Sequence, residues 1–475
     1  MTARHLITRL GLAGLLVLAG LIAAGSNGVL AQTGDQKPDS SYAKTPEEYR
    51  PYSRFENPYK MFFMNELEYP GYGRNIPEPE NVETVKIGFI GPIIRSVSES
   101  VGGPDDIPIR VSQRQVRWDG YTASHLAPLG IKMLQGTLLA LEQANAKGGY
   151  RGEIPYELIV RNDNGNWRSS GYRAIQMAWK DSVWAILGTV DGANSHILIR
   201  VALKAELPVM NTADTDPTFV ETNIPWVFRN ITDDRQMSYL LADFAYKTLG
   251  LEHIAAIRAV NRYGRVSIDE FRDASTRLGH PFVVELSYQE GDTVFTAQLD
   301  RIKALDVDGV ITYGNSRESA LILKQMREMG MNQWFFGSDR MVTPEFLNIV
   351  GPNHGNVAAG FPYDPTSTDQ KYLQFVEDFR NKYGEDPETY AAHAYDGMNM
   401  LIDAISKAGL NRALIRDELA DMTSYVGVTG PQEYDAVFSD RSPATLAVMK
   451  DGRFVFYSQE DVRAGKVDVQ SAGNQ

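Results

Sequence analysis

Val85-Lys86-Ile87-Gly88-Phe89-Ile90-Gly91 is a short apolar run carrying a single charge and no strict alternation of polar and apolar residues. That pattern reads as a strand buried on both faces. Downstream, Ile131 to Lys147 reads as an amphipathic helix, with Ile131, Leu134, Leu138 and Leu141 at helical spacing and Gly148-Gly149 as its stop. Strand Tyr156–Arg161, helix Arg168–Lys180, strand Val183–Leu187, a helix after Asn194 and strand Leu207–Met210 continue the alternation. It restarts after Phe228-Arg229-Asn230. Helix Arg235–Leu249, strand His253–Val260, helix Val266–Leu278 and strand Phe282–Ser287 come first. Helix Thr296–Ala304, strand Gly309–Tyr313, helix Glu318–Met329 and strand Trp334–Phe336 follow. Apolar strands alternating with helices predict parallel sheets covered on both faces. Two such units in succession predict an α/β protein of two doubly wound lobes.

Outside this region the chain changes character. Arg4 and Arg9 precede an apolar run from Leu10 to Ala24, and Val29-Leu30-Ala31 supplies small residues. This predicts a signal peptide over residues 1–31, cleaved after Ala31, and a mature chain starting at Gln32 in the periplasm. Residues 32–83 form an irregular arm with nine aromatics between Tyr42 and Tyr72. Its aromatics either fill shallow surface grooves or offer a docking surface to a protein partner. Residues 95–124 interrupt the first strand-to-helix connection at a length unusual for such loops. That segment carries Arg95, Arg110, Arg114 and Arg117 and reads either as a solvated loop or as a lid over a ligand site.

Composition removes several functions. The chain of 475 residues has a formal net charge of −13, opposite to the basic footprint of a nucleic-acid-binding protein. It has no cysteine, so disulfides, thiolate metal sites and cysteine nucleophiles are absent together. Neither a Gly-x-Ser-x-Gly elbow, a His-Glu-x-x-His pair nor a phosphate loop occurs, and the histidines are scattered. The expectation is therefore no enzyme, no cofactor and no metal.

In open parallel sheets, ligands sit beyond the carboxyl ends of the strands, where helix N-termini present free N–H groups. The stretches to read are Asp191-Gly192-Ala193-Asn194-Ser195, Asp214-Thr215, Tyr263, Asn315 and Asp339, each just after a predicted strand. Turn and cap chemistry explains much of such a cluster, and it suffices for Asp216-Pro217. Three acids on three loops, Asp191, Asp214 and Asp339, exceed what capping needs.

Read together, the segments resemble the type I periplasmic solute-binding proteins of ABC importers, in the leucine/isoleucine/valine-binding group. The resemblance rests on Val85 to Pro92, Gly136 with Asn145-Ala146-Lys147-Gly148-Gly149, Ile186-Leu187-Gly188 and Leu207-Pro208-Val209. Arg262-Tyr263-Gly264, Asp308-Gly309-Val310 and Gly427-Val428-Thr429-Gly430 complete it. It covers roughly Thr84 to Tyr457 and implies a hinge of three crossing strands near Arg229, Gly360-Phe361 and Val428. Lobe 1 would comprise 84–229 plus 361–428, lobe 2 would comprise 230–360 plus 429–460, and 461–475 would be a tail. The resemblance further implies an amino-acid ligand whose carboxylate meets the Asp191–Ser195 loop. The ammonium would meet Ala213–Thr215, with Asp339 as the acid and Tyr263 as the aromatic of the second lobe. A membrane ABC permease would be the partner of the closed form. Asp191 stands where hydroxyls are usual, which could favour a second ammonium or a polyhydroxy ligand. An arginine from the insertion could favour an additional acid group. A sensing subunit of the same fold and, more remotely, a hydrolase are the alternatives.

Overall fold

The computed structural model describes residues 68–94, 127–351, 355–422 and 424–469, with the backbone of 111–112 and 115–116. The expected signal peptide, residues 32–67 of the arm, nearly all of the 95–124 insertion and residues 470–475 lie outside the described residues.

The first sheet is built from β1 (Val85–Gly91), β4 (Tyr156–Asn162), β5 (Ile186–Gly188), β6 (Val209–Asn211) and β7 (Val227–Arg229), after a two-residue pair β2 (Val111–Ser112) and β3 (Gln115–Val116). Its order is β4-β1-β5-β6-β7, all parallel, with Val85 opposite Tyr156 and Gly88 opposite Ile186. The crossovers are α1 (Pro128–Ala146), α2 (Trp167–Ile175, running on as a π turn to Asp181) and α3 (Gly192–Ala205). Val85, Ile87 and Phe89 are fully buried beneath Leu134 and Leu138 of α1, which explains the unbroken apolar run of β1.

The second half continues with α4 (Asp234–Ala242, prolonged by a π turn to Thr248), β8 (Ile254–Ala259), α5 (Arg262–Arg277), β9 (Val284–Tyr288) and α6 (Thr296–Lys303). Then come β10 (Gly309–Tyr313), α7 (Ser316–Glu328), β11 (Trp334–Gly337), α8 (Pro344–Val350) and β12 (Val357–Phe361). Helices α9 (Gln370–Tyr383), α10 (Thr389–Ala408) and α11 (Arg412–Ala420) follow. The hairpin β13 (Tyr425–Gly427) and β14 (Gly430–Gln432) leads to β15 (Thr445–Lys450), β16 (Arg453–Tyr457) and α12 (Gln459–Arg463). The second sheet has the order β16-β15-β12-β11-β10-β8-β9, parallel except for β15 and β16. Helix α10 returns to the first sheet, where Met398, Leu401 and Ile405 share the core with α1.

Three passages join the sheets, and they meet at one side chain. The Thr232 hydroxyl lies 3.0 Å from the carbonyl oxygen of Pro362 and 3.1 Å from that of Ser442. Beside it the fully buried Arg229 guanidinium donates to the Asp216 carbonyl at 2.7 Å, to Asp233 at 2.9 Å and to Ser439. The third passage runs through Ser439–Thr445 rather than at Val428. The Asp396 carboxylate captures the N–H groups of Val428 and Thr429 at 2.8 and 2.9 Å, so the chain doubles back there as the β13–β14 hairpin.

Other departures have local causes. Helices α3 and α5 begin at Gly192 and Arg262, several residues before their apolar periodicity; Asp191 and Asn261 stand at the N-cap positions, and the Asn261 side chain accepts from the Gly264 N–H at 2.9 Å. Apolar spacing marks only the turns that touch the core. From 461 onward the chain is no tail as far as it is described: Val462 and Val467 are buried in the second lobe's core. Two apolar residues five apart are too sparse a pattern to read in advance.

The described end of the arm lies on the first lobe. Tyr69 packs edge-on against Trp226 at 4.9 Å, and Glu206 accepts from the N–H groups of Tyr72 and Gly73 at 3.0 and 2.7 Å. Asn411 donates to the Gly73 and Ile76 carbonyls at 2.9 Å. Among the described residues, no helix is long and apolar enough to cross a membrane.

Candidate ligand-binding site

The carboxyl ends of the two sheets face each other, and polar bridges cross between them. The Asp191 carboxylate, after β5, pairs with Arg340, after β11, at 2.8 Å. The Tyr390 hydroxyl at the start of α10 donates to Asp339 at 2.7 Å. At one rim, Arg262 of α5 reaches Asp216 and Thr218 of the first lobe, both at 2.8 Å.

The residues singled out from the sequence separate into three groups. Asp191, Tyr263 and Asn315 converge on one point, the Arg340 guanidinium. Asp214, Thr215 and Asp339 are buried where the lobes meet. The side chains of Asn194 and Ser195 turn inward, Asn194 to Asp163 at 3.2 Å and Ser195 to Asn211 at 2.9 Å, whereas Ala193 is exposed. They form the first turn of α3, so successive residues point about 100° apart and cannot all line one surface. Gly192 sits at the rim, where an added Cβ would lie 2.5 Å from the Asp216 carboxylate and 3.0 Å from Arg262. Asp216 caps the turn after it by accepting from the Thr218 N–H at 2.9 Å, and its other oxygen holds Arg262.

Three buried carboxylates keep one oxygen without a hydrogen-bond partner among the described residues. They are Asp214 Oδ2, Asp234 Oδ1 and Asp339 Oδ1. Asp234 opens α4; its other oxygen accepts from Ser267 at 2.6 Å, and its N–H donates to the Thr215 carbonyl at 2.9 Å. Burial is the main cause that raises all three pKa values. The Asp216 charge adds to the effect at Asp214, bringing it up to about 8, while the Asp339 charge adds to it at Asp234. Arg340 and the Tyr390 hydroxyl act the other way on Asp339 without cancelling burial. Buried acceptors without donors are costly, on the order of 1–3 kcal/mol each. Asp234 and Asp339 feel each other's charge, and Thr215, next to Asp214, holds the Asp234 N–H; acceptors so placed suit a ligand that donates protons or carries positive charge. No group of three His, Cys, Asp or Glu residues able to hold a metal occurs among the described residues.

The profile of the periplasmic binding protein family matches residues 121–447. The chain belongs to that family. Among relatives of this periplasmic binding protein, a Leu/Ile/Val-binding protein homolog of Brucella abortus is 24% identical over 311 residues, covering 65% of this chain and 83% of the relative. An amino acid binding protein of Pseudomonas aeruginosa is 26% identical over 312 residues, or 65% of this chain and 82% of the relative. In fold, it is similar to the branched-chain amino acid transporter substrate-binding protein of Streptococcus pneumoniae solved with isoleucine (TM-score 0.68, 22% identity, 79% of this chain and 99% of that one). A Rhodopseudomonas palustris solute-binding protein solved with benzoate gives a TM-score of 0.66 at 17% identity, over 79% of this chain and 96% of that one.

Asp234, Arg340, Tyr390 and Arg262 escaped the sequence reading of this binding protein. Asp234 had a signal: it follows Asp233, which already forms the capping box with Gln236, so the second acid is surplus to the helix start. Arg262 offers a direct test of the rim. His196 presents its Nε2 to Arg262 at 3.3 Å while its Nδ1 meets the Gly192 carbonyl at 2.8 Å, so the neutral ring with its proton on Nδ1 fits the cluster. Burial lowers its pKa, which favours that neutral form. Arg262→Ala strands the Asp216 charge and should shift the lobes toward the open form by on the order of 1 kcal/mol, about fivefold in population, given the partial exposure of Arg262. Spin labels on cysteines introduced as Lys204→Cys and Asp300→Cys, in a chain with none of its own, report the separation. An unchanged distance distribution would mean the rim contact does not hold the lobes.

Proposed function

We propose that this chain is an exported receptor that captures a small solute bearing an amino group, an amino acid or a close relative, between its two lobes. The closed form delivers the solute to the membrane permease of an ABC importer. The three buried carboxylates with unpaired oxygens carry this reading: an ammonium group supplies the donors and the charge that burial denies them. The names of the relatives and the isoleucine of the pneumococcal structure support an amino-acid ligand. Arg4, Arg9 and the Leu10–Ala24 run support export and cleavage after Ala31, hence a periplasmic location. A protein partner at the arm is supported by the exposed Tyr72 and Ile76. Ligand favours the closed form because only there do groups of both lobes reach it.

The test is thermal unfolding of the chain from Gln32 against neutral, acidic and basic amino acids, amides, polyols and aromatic acids. A ligand at about 100 times its dissociation constant adds about 2.7 kcal/mol of stability. Asp339→Asn should weaken the ligand found by about 2–4 kcal/mol, roughly 30- to 1,000-fold, by removing a buried charge that faces the ammonium. If no amino acid stabilises the chain, or Asp339→Asn binds the ligand as tightly as before, the reading fails.

A further inference from the structure

Arg340 is a cation that the protein itself places in the cleft. It follows Asp339 directly and is only 3% exposed. Its guanidinium carbon stands 3.5 Å from the centre of the Tyr263 ring; Nη1 donates to Asn315 Oδ1 and Nη2 to Asp191 Oδ1, both at 2.8 Å. Asp191 and Asn315 occupy the N-caps of α3 and α7, yet neither side chain makes a capping bond. A side-chain cap is ordinarily worth about 1 kcal/mol. Both residues forgo it and turn to the guanidinium.

A carboxylate, an aromatic face and an amide oxygen converging on one point are the parts of a cation site. Here that site is complete and already filled. The unpaired oxygens of Asp214, Asp234 and Asp339 lie outside this set of partners. We propose that Arg340 is a specificity-determining residue: it occupies a second cation seat beside the ligand and restricts the cleft to solutes with one cationic group. This rests on the amino-group reading above. A ligand with a second cation, such as lysine or arginine, meets the resident guanidinium and finds Asp191 and the Tyr263 face taken. Asp191 thus marks a seat for a second cation, and the protein has closed it.

Arg340→Ala opens the seat. Ethylguanidinium, a probe that needs no amino-acid site, should then stabilise the variant while leaving the wild-type chain unmoved. The gain should be roughly tenfold or more in affinity, and Asp191→Asn added to Arg340→Ala should abolish it. Arginine and lysine should bind the variant and not the wild type. Should Arg340→Ala not fold, Arg340→Ser carries the same test, since its short side chain also leaves the seat open. Wild-type chain that binds arginine or lysine as well as neutral amino acids would overturn the proposal. So would a folded Arg340 variant that gains nothing from ethylguanidinium. Failure of the receptor reading looks different: neutral amino acids leave the wild type unaffected, while the ethylguanidinium result still reports on the seat.

Discussion

Gly136→Ala should destabilise the folded chain by about 2–3 kcal/mol, and Gly136→Val by more than about 4 kcal/mol, in urea or thermal unfolding. Helix propensity alone predicts the opposite sign, because alanine exceeds glycine by about 1 kcal/mol within a helix. The tertiary contact decides. Gly136 lies in the middle of α1, and a Cβ built there would stand 2.0 Å from the Ala391 carbonyl oxygen and 2.8 Å from its carbon. Those atoms are backbone of α10, so no rotamer change relieves them. The two helices must separate, and they carry Leu134 and Leu138 on one side and Leu401 and Ile405 on the other. Against a total of about 5–15 kcal/mol for a typical domain, such a loss is a large share. A Gly136→Ala chain at least as stable as the parent would show that α1 and α10 do not approach this closely.

The same contrast between local pattern and tertiary partner accounts for what could be read in advance. The apolar run Val85–Gly91, buried except at Lys86, and the strand–helix alternation are local signals, and the two parallel sheets follow from them. Strand ends are equally legible, and Asp214, Tyr263, Asn315 and Asp339 each follow one. What local pattern does not encode is the partner that each side chain takes. Asp191, Tyr263 and Asn315 are separated widely in sequence and meet only because Arg340 reaches all three. Arg340 directly follows Asp339 in the sequence, but an arginine beside an acid reads as a surface pair until its burial is known. Tyr390 opens a helix far from any of the strand ends read as ligand loops, and folding brings it over Asp339. Residues 193–195 separate for a geometric reason: a loop lets all three face one way, whereas a helical turn sends Asn194 and Ser195 inward and leaves Ala193 exposed.

The pH dependence of Asp214 links the site to stability. Its pKa, held at about 8 by burial and then by Asp216, lies far above the ordinary carboxylate value near 4. The Ser195 hydroxyl and the Asp216 N–H, which donates to Oδ1 at 3.1 Å, favour the charged form without cancelling burial, and Oδ2 keeps no donor among the described residues. The folded chain therefore keeps a proton that the unfolded chain has lost. The resulting stability is complete below about pH 4 and declines as pH rises toward 8, by at most about 1.4 kcal/mol per pH unit. Asp214→Asn removes this component, so the stability difference between wild type and variant should itself slope with pH across that window. A bound ammonium reverses the preference by stabilising the carboxylate. Below pH 8, binding should therefore expel up to one proton, and wild-type affinity should rise with pH and level off above 8. Asp214→Asn should show neither effect. Calorimetry in two buffers of different ionisation enthalpy measures the proton count directly. Equal heats in both buffers would mean that the Asp214 proton stays in place, with the carboxyl donating to the ligand rather than receiving its charge.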